Sequence, residues 1–403
     1  SLRDKGGSYM RNFEFYAPTR IVFGKDSEKQ AGALAAAARA KKVLVVYGSD
    51  RIEKSGLLQT VTDSLEQQGI EVRTACGVKA NPTCEKAVQI TAQNRSFDPD
   101  LIMAVGGGSV IDTAKACALA LANPDCGLWD IWTRKVSVSR SKPVGVVLTI
   151  PAAGSETSDS AVLTSEALGV KRGFGSELNR PLFALMNPAL ALSLPEYQRA
   201  CGIADILMHT LDRYFTPEQG NEMTDAIAEA LLRTVIASAR LVMQENPDEK
   251  AMSEIMWAGS LSHNNLTGLG GLKDFAVHQL GHELSAKTDI AHGASLTAVW
   301  DSWARYVLEE DPARFARYAR NVWGANEKED LQAAREGIRQ TKEFFASLGL
   351  PVCFSQAGQI GIRTDEELES FAYGCSYGNT RTIGSFRKLG LGDMKKIYAM
   401  ANH

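Results

Sequence analysis

The chain lacks several features that define whole classes of protein. Its 403 residues contain no uninterrupted apolar stretch close to the roughly 18 residues that a membrane-spanning helix requires, so we expect a soluble protein. No basic excess occurs, because 44 lysines and arginines are balanced by 47 aspartates and glutamates, and a nucleic-acid partner is therefore not expected. The seven cysteines include no CxxC pair, which argues against a disulfide framework and favours a reducing, cytoplasmic location.

The chain does contain enough apolar residues to form real cores, since 44% of its residues are hydrophobic. Its length suggests two or three domains, and two is the simpler prediction. The first residues, 1–9, lack the apolar run of a signal peptide and precede Met10, where the sequence begins to look structured. We therefore interpret residues 1–9 as a vector-derived remnant.

Residues 10–188 alternate short apolar runs with helical patterns. Near-continuous apolar runs at residues 43–47, 101–105 and 144–149 predict strands, residues 71–75 are a further strand candidate, and 10–15-residue helical segments separate them. This alternation is typical of βαβ units with a parallel sheet covered on both faces. From residue 189 to residue 403 the pattern is helical, without a convincing strand. We therefore predict an α/β domain, residues 10–188, and an all-helical domain, residues 189–403.

A glycine-rich turn follows the predicted strand at residues 101–105. Gly106, Gly107 and Gly108 allow backbone N–H groups to approach a phosphate closely, and the helix that follows favours an anion at its N-terminus. Ser109 is expected either to cap this helix or to donate to the phosphate. The turn is not a GxGxxG motif. Residues 149–156 are a second candidate for cofactor binding, because ligands bind at the carboxyl ends of parallel strands, and a solvent-facing loop is an equally open interpretation of this segment.

Only six histidines occur, and several of them have the spacing of metal ligands. Asp205 and His209 are four residues apart and therefore share one helix face, and His278 and His282 have the same spacing. His292 follows a break that would let the chain turn back toward His278. Imidazoles with one carboxylate suit iron, zinc, manganese or nickel. The predicted ligands of a divalent metal are Asp205, His209, His278 and His292.

The other two histidines, His263 and His403, have no comparable partners in the sequence, and we interpret them as structural or surface residues. A phosphate-binding turn in one half and a metal site in the other together predict an enzyme. The metal would act as a Lewis acid on a carbonyl or alkoxide oxygen, and a nucleotide would carry hydride.

Taken together, these motifs resemble the iron-containing (group III) alcohol dehydrogenase family, which has a dehydroquinate-synthase-like fold. More narrowly, the chain resembles the branch of NADPH-dependent butanol dehydrogenases and aldehyde reductases. The resemblance extends over residues 10–400, and its motifs are residues 19–25, 106–112, 154–156, 205–209 and 278–292. It implies interconversion of a primary alcohol and its aldehyde by hydride transfer, with Fe²⁺ or Zn²⁺, and a homodimer.

The resemblance also implies roles for individual residues. His282 matches an additional histidine near the metal and is expected to relay a proton, and Lys171 is expected near the nicotinamide ribose. Many NAD-preferring members have an aspartate where this chain has Gly48, so NADP(H) is expected, with NAD as the alternative. The residues expected to contact the cofactor are Gly48, Ser49, Arg51, Gly106, Gly107, Gly108, Ser109, Asp112, Thr149, Ser155 and Lys171.

Two other functions remain open at this stage. A lyase of the same fold would use NAD transiently, but it needs a basic pocket, and no basic cluster surrounds the predicted ligands in the sequence. A non-catalytic nucleotide-binding protein would be expected to have lost metal ligands, whereas all four ligand types are present. The identity of the alcohol does not follow from the sequence.

Overall fold

The computed structural model of the protein describes residues 11–403, so the remnant predicted at residues 1–9 lies outside the described part. The chain divides into two compact units. The main segment of the first unit ends directly before the first long helix that follows the strands. We call the two units the α/β unit and the helical unit. Among the described residues, the α/β unit comprises Ala17–Pro195 and Gln244–Ser260, and the helical unit comprises residues 11–16, Glu196–Met243 and Leu261–His403.

The segment Gln244–Ser260 differs from our prediction, which placed it in the helical domain. Its contacts explain the grouping, because Ser260 Oγ donates to Glu156 Oε1 over 2.5 Å and the Trp257 ring packs edge-on against Phe23. The predicted boundary at residue 188 remains a prediction.

Eight strands occur in the described residues, all within the α/β unit. They are β1 (Arg20–Phe23), β2 (Lys42–Tyr47), β3 (Glu71–Ala75), β4 (Leu101–Gly106), β5 (Val144–Leu148), β6 (Ser160–Ser165), β7 (Val170–Gly175) and β8 (Phe183–Met186). Six of them form a parallel sheet in the order β1-β8-β5-β4-β2-β3, and β6 and β7 form a separate antiparallel hairpin.

The central strands of this sheet are buried along their whole length. Every residue of β4, β5 and β8 is buried, and successive side chains of a strand point to opposite faces, so helices and loops cover both faces. The helices of the first part of the chain are α1 (Ala31–Ala37), α2 (Asp50–Lys54), α3 (Leu57–Glu66), α4 (Cys84–Asn94), α5 (Gly108–Ala122) and α6 (Leu128–Trp132). On one face, Val45 and Met103 belong to a core cluster with Leu34 of α1 and Val61 of α3.

The remaining part of the chain is helical, as predicted. Its helices are α7 (Glu196–Tyr214), α8 (Glu222–Val242), α9 (Glu249–His263), α10 (Ala276–Thr288), α11 (His292–Val307), α12 (Pro312–Tyr318), α13 (Asp330–Ser347), α14 (Asp365–Cys375) and α15 (Leu391–Ala401). A π-helical turn, Ala319–Trp323, extends α12. None of the helices in residues 11–403 is long and apolar enough to span a membrane.

Candidate metal and cofactor sites

The candidate metal site is built on α7, which is buried along most of its length. Asp205 and His209 are one turn apart on this helix and are 4% exposed each, so the structure places both on an inward-facing side. A buried carboxylate is costly unless it is paired with positive charge or coordinates a metal. The burial of the Asp205 carboxylate is therefore consistent with a cation-binding site on this helix face.

His278 and His292 are brought together by the turn between α10 and α11. His278 lies in the first turn of α10, and His292 is the first residue of α11. Gly293 allows this arrangement, because a Cβ there would lie 2.3 Å from the backbone oxygen of Cys201 on α7. The two rings are 5.3 Å apart between centroids, which confirms that the chain returns to His278 as expected.

The four predicted ligands meet at one carboxylate oxygen. Asp205 Oδ1 lies 3.5 Å from His278 Nε2 and 3.6 Å from both His292 Nε2 and His209 Nδ1. Ligand atoms about 2.1 Å from a tetrahedral metal lie roughly 3.4 Å from one another, so these separations suit a bound ion. Asp205, His278 and His292 present ligand atoms that all lie within 4.8 Å of one another, a group to which His209 does not belong.

The lack of hydrogen-bond partners for several of these buried atoms also fits a metal site. Asp205 Oδ1, His209 Nδ1 and His278 Nε2 are buried and have no hydrogen-bond partner within residues 11–403. Three inward-facing ligand atoms without partners are costly unless another group satisfies them. A divalent ion bound by Asp205 and His278 would satisfy two of these atoms, and His209 Nδ1, 3.6 Å from Asp205 Oδ1, would have to join it for the third to be satisfied.

Asp212 orients one of the imidazoles and was not identified from the sequence. Its Oδ2 is 2.5 Å from His278 Nδ1, and accepting the proton there leaves Nε2 available to a metal. Burial alone would lower the pKa of His278, but Asp205 and Asp212 raise it to about 8. Asp212 follows His209 by three residues on α7, so the helical spacing from Asp205 through His209 was the available signal.

The other imidazoles lie beside this group. His282 is buried, and its ring centroid is 5.2 Å from that of His292 and 6.1 Å from that of His278. His263, which we interpreted from the sequence as structural or surface, is buried and stacks on His209 with centroids 3.9 Å apart. Burial and the neighbouring imidazoles, His263 first, hold the pKa of His209 well below its usual range, so this ring is in the neutral, metal-binding form.

In the α/β unit, the glycine turn joins β4 to the start of α5. Gly107 is the N-cap and α5 begins at Gly108, so Ser109 lies in the first turn and the capping alternative for Ser109 is wrong. A Cβ at Gly106 would lie 2.6 Å from Val110 Cγ2, and one at Gly107 would lie 2.8 Å from Ile150 Cβ. The turn is therefore too crowded for side chains, and the N-terminus of a 15-residue helix follows it, as an anion site requires.

Two of the residues predicted to contact the cofactor form hydrogen bonds with other residues of the protein. The Asp112 carboxylate accepts a 2.5 Å bond from Ser155 Oγ and a 2.9 Å bond from the Val162 N–H. Lys115 Nζ donates to Ser155 Oγ over 2.9 Å, and burial lowers the pKa of Lys115 to about 8 although Asp112 opposes this. This network ties α5 to the segment after β5, where Thr149 also donates its N–H to the Gly106 carbonyl over 3.0 Å.

Lys171 lies on the β6–β7 hairpin, which the sequence did not predict. Its Nζ donates to Asn81 Oδ1 over 2.9 Å, and Asn81 has a left-handed backbone with φ of 54° in the loop after β3. The lysine is 9% exposed. Asn81 therefore joins the hairpin to the loop after β3. Asn81 was not among the residues expected from the sequence to lie near the cofactor.

The end of β2 is closely packed at residue 48. A Cβ on Gly48 would lie 3.1 Å from the Val78 carbonyl oxygen. Ser49 precedes α2, and Arg51 on α2 donates from Nη2 to Ser193 Oγ over 2.7 Å. A hydroxyl and a guanidinium thus lie within three residues of Gly48.

Comparisons with known proteins identify the family. Residues 18–188 match the iron-containing alcohol dehydrogenase family, and residues 199–402 match the C-terminal domain of the Fe-containing alcohol dehydrogenase family. The chain belongs to this family, which confirms the predicted family, fold class and enzyme class.

Individual relatives span the whole chain. The NADH-dependent butanol dehydrogenase A of Clostridium acetobutylicum is 34% identical over 96% of this chain and 99% of its own. The NADPH-dependent aldehyde reductase YqhD of Escherichia coli is 32% identical over 97% of this chain and 100% of its own. The crystal structure of NADH-dependent butanol dehydrogenase A from Thermotoga maritima superposes with a TM-score of 0.93 at 30% identity, covering 98% of this chain and 100% of that one.

Proposed function

We propose that this protein interconverts a primary alcohol and its aldehyde, using NADP(H) and one divalent metal, Fe²⁺ or Zn²⁺. The observation that carries the proposal is the meeting of Asp205 Oδ1 with three imidazole nitrogens at 3.5 to 3.6 Å in a buried site. A carboxylate and three imidazoles are a suitable ligand set for either metal.

The metal and the nicotinamide would supply the parts of the reaction that side chains cannot. A metal held by Asp205, His209, His278 and His292 supplies Lewis-acid polarisation of the substrate oxygen, and a bound nicotinamide supplies or accepts hydride. The chain's own residues would bind and orient these groups, and His282 would hold the proton that the alcohol oxygen gains or loses. Its ring, 5.2 Å from that of His292, supports this role.

The cofactor would be anchored in the α/β unit. The N–H groups at the start of α5, behind Gly106, Gly107 and Gly108, would bind its phosphates, with Ser109 as a hydroxyl donor. Lys171 would contact the ribose next to the nicotinamide. Asp112 and Ser155 would act mainly by holding the loop after β5 against α5, since they are already bonded to each other.

The choice between NADPH and NADH is a finer proposal. Similar proteins include both NADH-dependent butanol dehydrogenases and an NADPH-dependent aldehyde reductase. Gly48 favours NADPH, because no carboxylate is present at this position to repel a 2′-phosphate. Ser49 and Arg51 would donate to that phosphate, and guanidinium–phosphate bonds are among the stronger hydrogen bonds.

We also propose a homodimer. Phe13, Phe15 and Tyr16 are 51%, 44% and 54% exposed in one short stretch of the helical unit. Clustered exposed aromatic side chains are typical of surfaces that associate with another protein. Sedimentation analysis of the purified protein tests this point, and a monomer at all concentrations would contradict it.

Steady-state kinetics of the metal-loaded protein test the proposed function. We expect oxidation of NADPH in the presence of butanal, with kcat/KM for NADPH above that for NADH across a panel of short aldehydes. Arg51→Ala should raise the KM for NADPH by roughly tenfold and leave that for NADH nearly unchanged. Lys54→Ala, which removes an exposed cation from the same helix, is the matched control.

Two results would overturn the proposal. If neither nicotinamide supports turnover with any short aldehyde while metal is bound, the protein is not this oxidoreductase. If NADH is preferred and Arg51→Ala affects both cofactors equally, the proposed 2′-phosphate contact is wrong, although the oxidoreductase proposal stands.

A further inference from the structure

His209 differs from His278 in how its ring is held. The His278 ring is fixed by its 2.5 Å hydrogen bond to Asp212, whereas His209 Nδ1 has no hydrogen-bond partner within residues 11–403. Instead, two other imidazoles stack on His209. The His263 ring lies 3.9 Å from it between centroids, and the His278 ring lies 4.5 Å from it. Because ring stacking, and not a hydrogen bond at Nδ1, determines the plane of the His209 ring, that plane depends on the position of His263.

Arg213 joins His263 to the helix that carries His209. Arg213 lies one turn after His209 on α7 and is 3% exposed. Its Nη1 donates to the His209 carbonyl oxygen over 2.8 Å, and its Nη2 is 2.9 Å from His263 Nδ1. A guanidinium is only a donor, so His263 must accept at Nδ1 and be neutral, with its proton on Nε2.

The guanidinium itself has little freedom. The Phe275 ring lies 4.9 Å from its central carbon, and this residue has a left-handed backbone with φ of 54°, which is unusual for a bulky side chain. On another side, Gly268 approaches so closely that a Cβ there would be 3.0 Å from Arg213 Cγ. Such close packing makes Arg213 a rigid anchor for the His263 ring.

We propose that Arg213 and His263 are positioning residues that hold the His209 imidazole in the plane it needs to join Asp205, His278 and His292 around a metal. The inference rests on the proposed metal site and not on the identity of the substrate or cofactor. It assigns a role to His263, which carries no metal-ligand spacing in the sequence, and to Arg213, which bonds to both histidines.

Metal binding to purified, metal-free protein tests this inference without turnover. Co²⁺ is the probe, with its affinity measured by calorimetry and its coordination by visible absorption. We expect His263→Ala and Arg213→Met to weaken Co²⁺ binding by roughly tenfold or more and to change the absorption spectrum, as removal of supporting residues does in other metal sites. His263→Phe retains an aromatic ring and should lose less affinity than His263→Ala.

His403→Ala is the matched control, because this histidine is exposed and its Nδ1 contacts only a backbone carbonyl. Circular dichroism of the metal-free variants checks that they fold, and His263→Phe replaces His263→Ala if the latter does not. Wild-type affinity and spectrum in folded His263→Ala or Arg213→Met would overturn the inference, as would wild-type protein that binds no Co²⁺. Loss of turnover with normal Co²⁺ binding in wild type would instead overturn the proposed function alone.

Discussion

At the scale of single residues, Asp212 determines which nitrogen of His278 faces the other candidate ligands. The Asp212 carboxylate accepts a hydrogen bond from His278 Nδ1. His278 Nε2 then points to Asp205 Oδ1, 3.5 Å away. Asp212 is 1% exposed, so its charge is not screened by solvent. The sequence places Asp212 on the same helix face as Asp205, but it does not reveal that α10 packs against that face.

Asp212→Asn should weaken metal binding. An amide can still accept a hydrogen bond from His278 Nδ1, but it lacks the negative charge that makes the imidazole a better ligand, so we expect roughly 10- to 100-fold lower metal affinity. Calorimetric titration of the metal-free protein measures this loss. Asp125→Asn removes an exposed carboxylate and is the control. Equal affinities in the two variants would show that Asp212 does not support the site.

Glu283 is a second residue whose environment has a measurable consequence. It is 6% exposed, and its Oε1 has no hydrogen-bond partner in the part of the chain that the structure describes. Burial raises the pKa of Glu283 to about 7, although Lys287 and Arg381 act in the opposite direction. In the unfolded chain the carboxyl has an ordinary pKa, so between about 4.5 and about 7 the folded protein binds the additional proton.

Folding is therefore destabilised by Glu283 as pH rises through this window, by about 1.4 kcal/mol per pH unit at most. Glu283→Gln removes the titration. We expect the free energy of unfolding of this variant, relative to wild type, to be higher at about pH 8 than at about pH 5. Urea unfolding at both pH values measures the difference. Glu245→Gln, at an exposed position, should show no such trend, and a trend-free Glu283→Gln would contradict the account.

At the scale of elements, the central strands, the edge strand β3 and the long helices could be predicted from the sequence, whereas the shortest strands and the hairpin could not. The apolar runs of β2, β4 and β5 are visible because these strands are buried on both faces. The four-residue strands β1 and β8 are too short to show a period, and the hairpin β6–β7 alternates polar with apolar residues only weakly. Lys171 could be proposed from resemblance, but its hairpin could not.

The residues of the candidate site also divide into those that could be predicted from the sequence and those that could not. Candidate metal ligands within one helix, such as Asp205 and His209, follow from helical spacing, whereas the stack of His263 on His209 depends on how separate helices pack. No periodicity connects these two residues in the sequence. The turn at Gly106 to Gly108 could be predicted because crowding in a strand–helix turn selects glycine directly.

The glycine turn gives a prediction for the element as a whole. In Gly107→Ala, the new Cβ would lie 2.8 Å from Ile150 Cβ, so the turn must shift and its N–H groups lose their alignment. We expect at least roughly tenfold weaker binding of NADPH, with unchanged metal content, because one good charge-assisted hydrogen bond is worth that much.

Fluorescence titration of NADPH measures the affinity of Gly107→Ala. Gly175→Ala on β7 is the matched control, since a Cβ there meets nothing within 4 Å. Wild-type affinity in Gly107→Ala would show that the cofactor phosphates bind elsewhere.

At the scale of the whole molecule, each unit contributes one half of the proposed chemistry. The α/β unit has the glycine turn and Lys171, and the helical unit has the ligand group around Asp205. The near-neutral balance of 44 basic and 47 acidic residues is consistent with this arrangement, because an anionic cofactor would be bound by local donors and a helix N-terminus. The matched relatives cover almost the entire chain, so both halves belong to one enzyme family.

The most direct test of the central claim follows the hydride itself. Butanal is incubated with metal-loaded protein and reduced nicotinamide cofactor deuterated at the transferable C4 position, and the butanol is analysed by mass spectrometry. We expect deuterium on the former carbonyl carbon, and we expect its appearance to cease after metal removal and to return when Fe²⁺ or Zn²⁺ is added. Butanol without deuterium, or equal transfer by metal-free protein, would contradict the account.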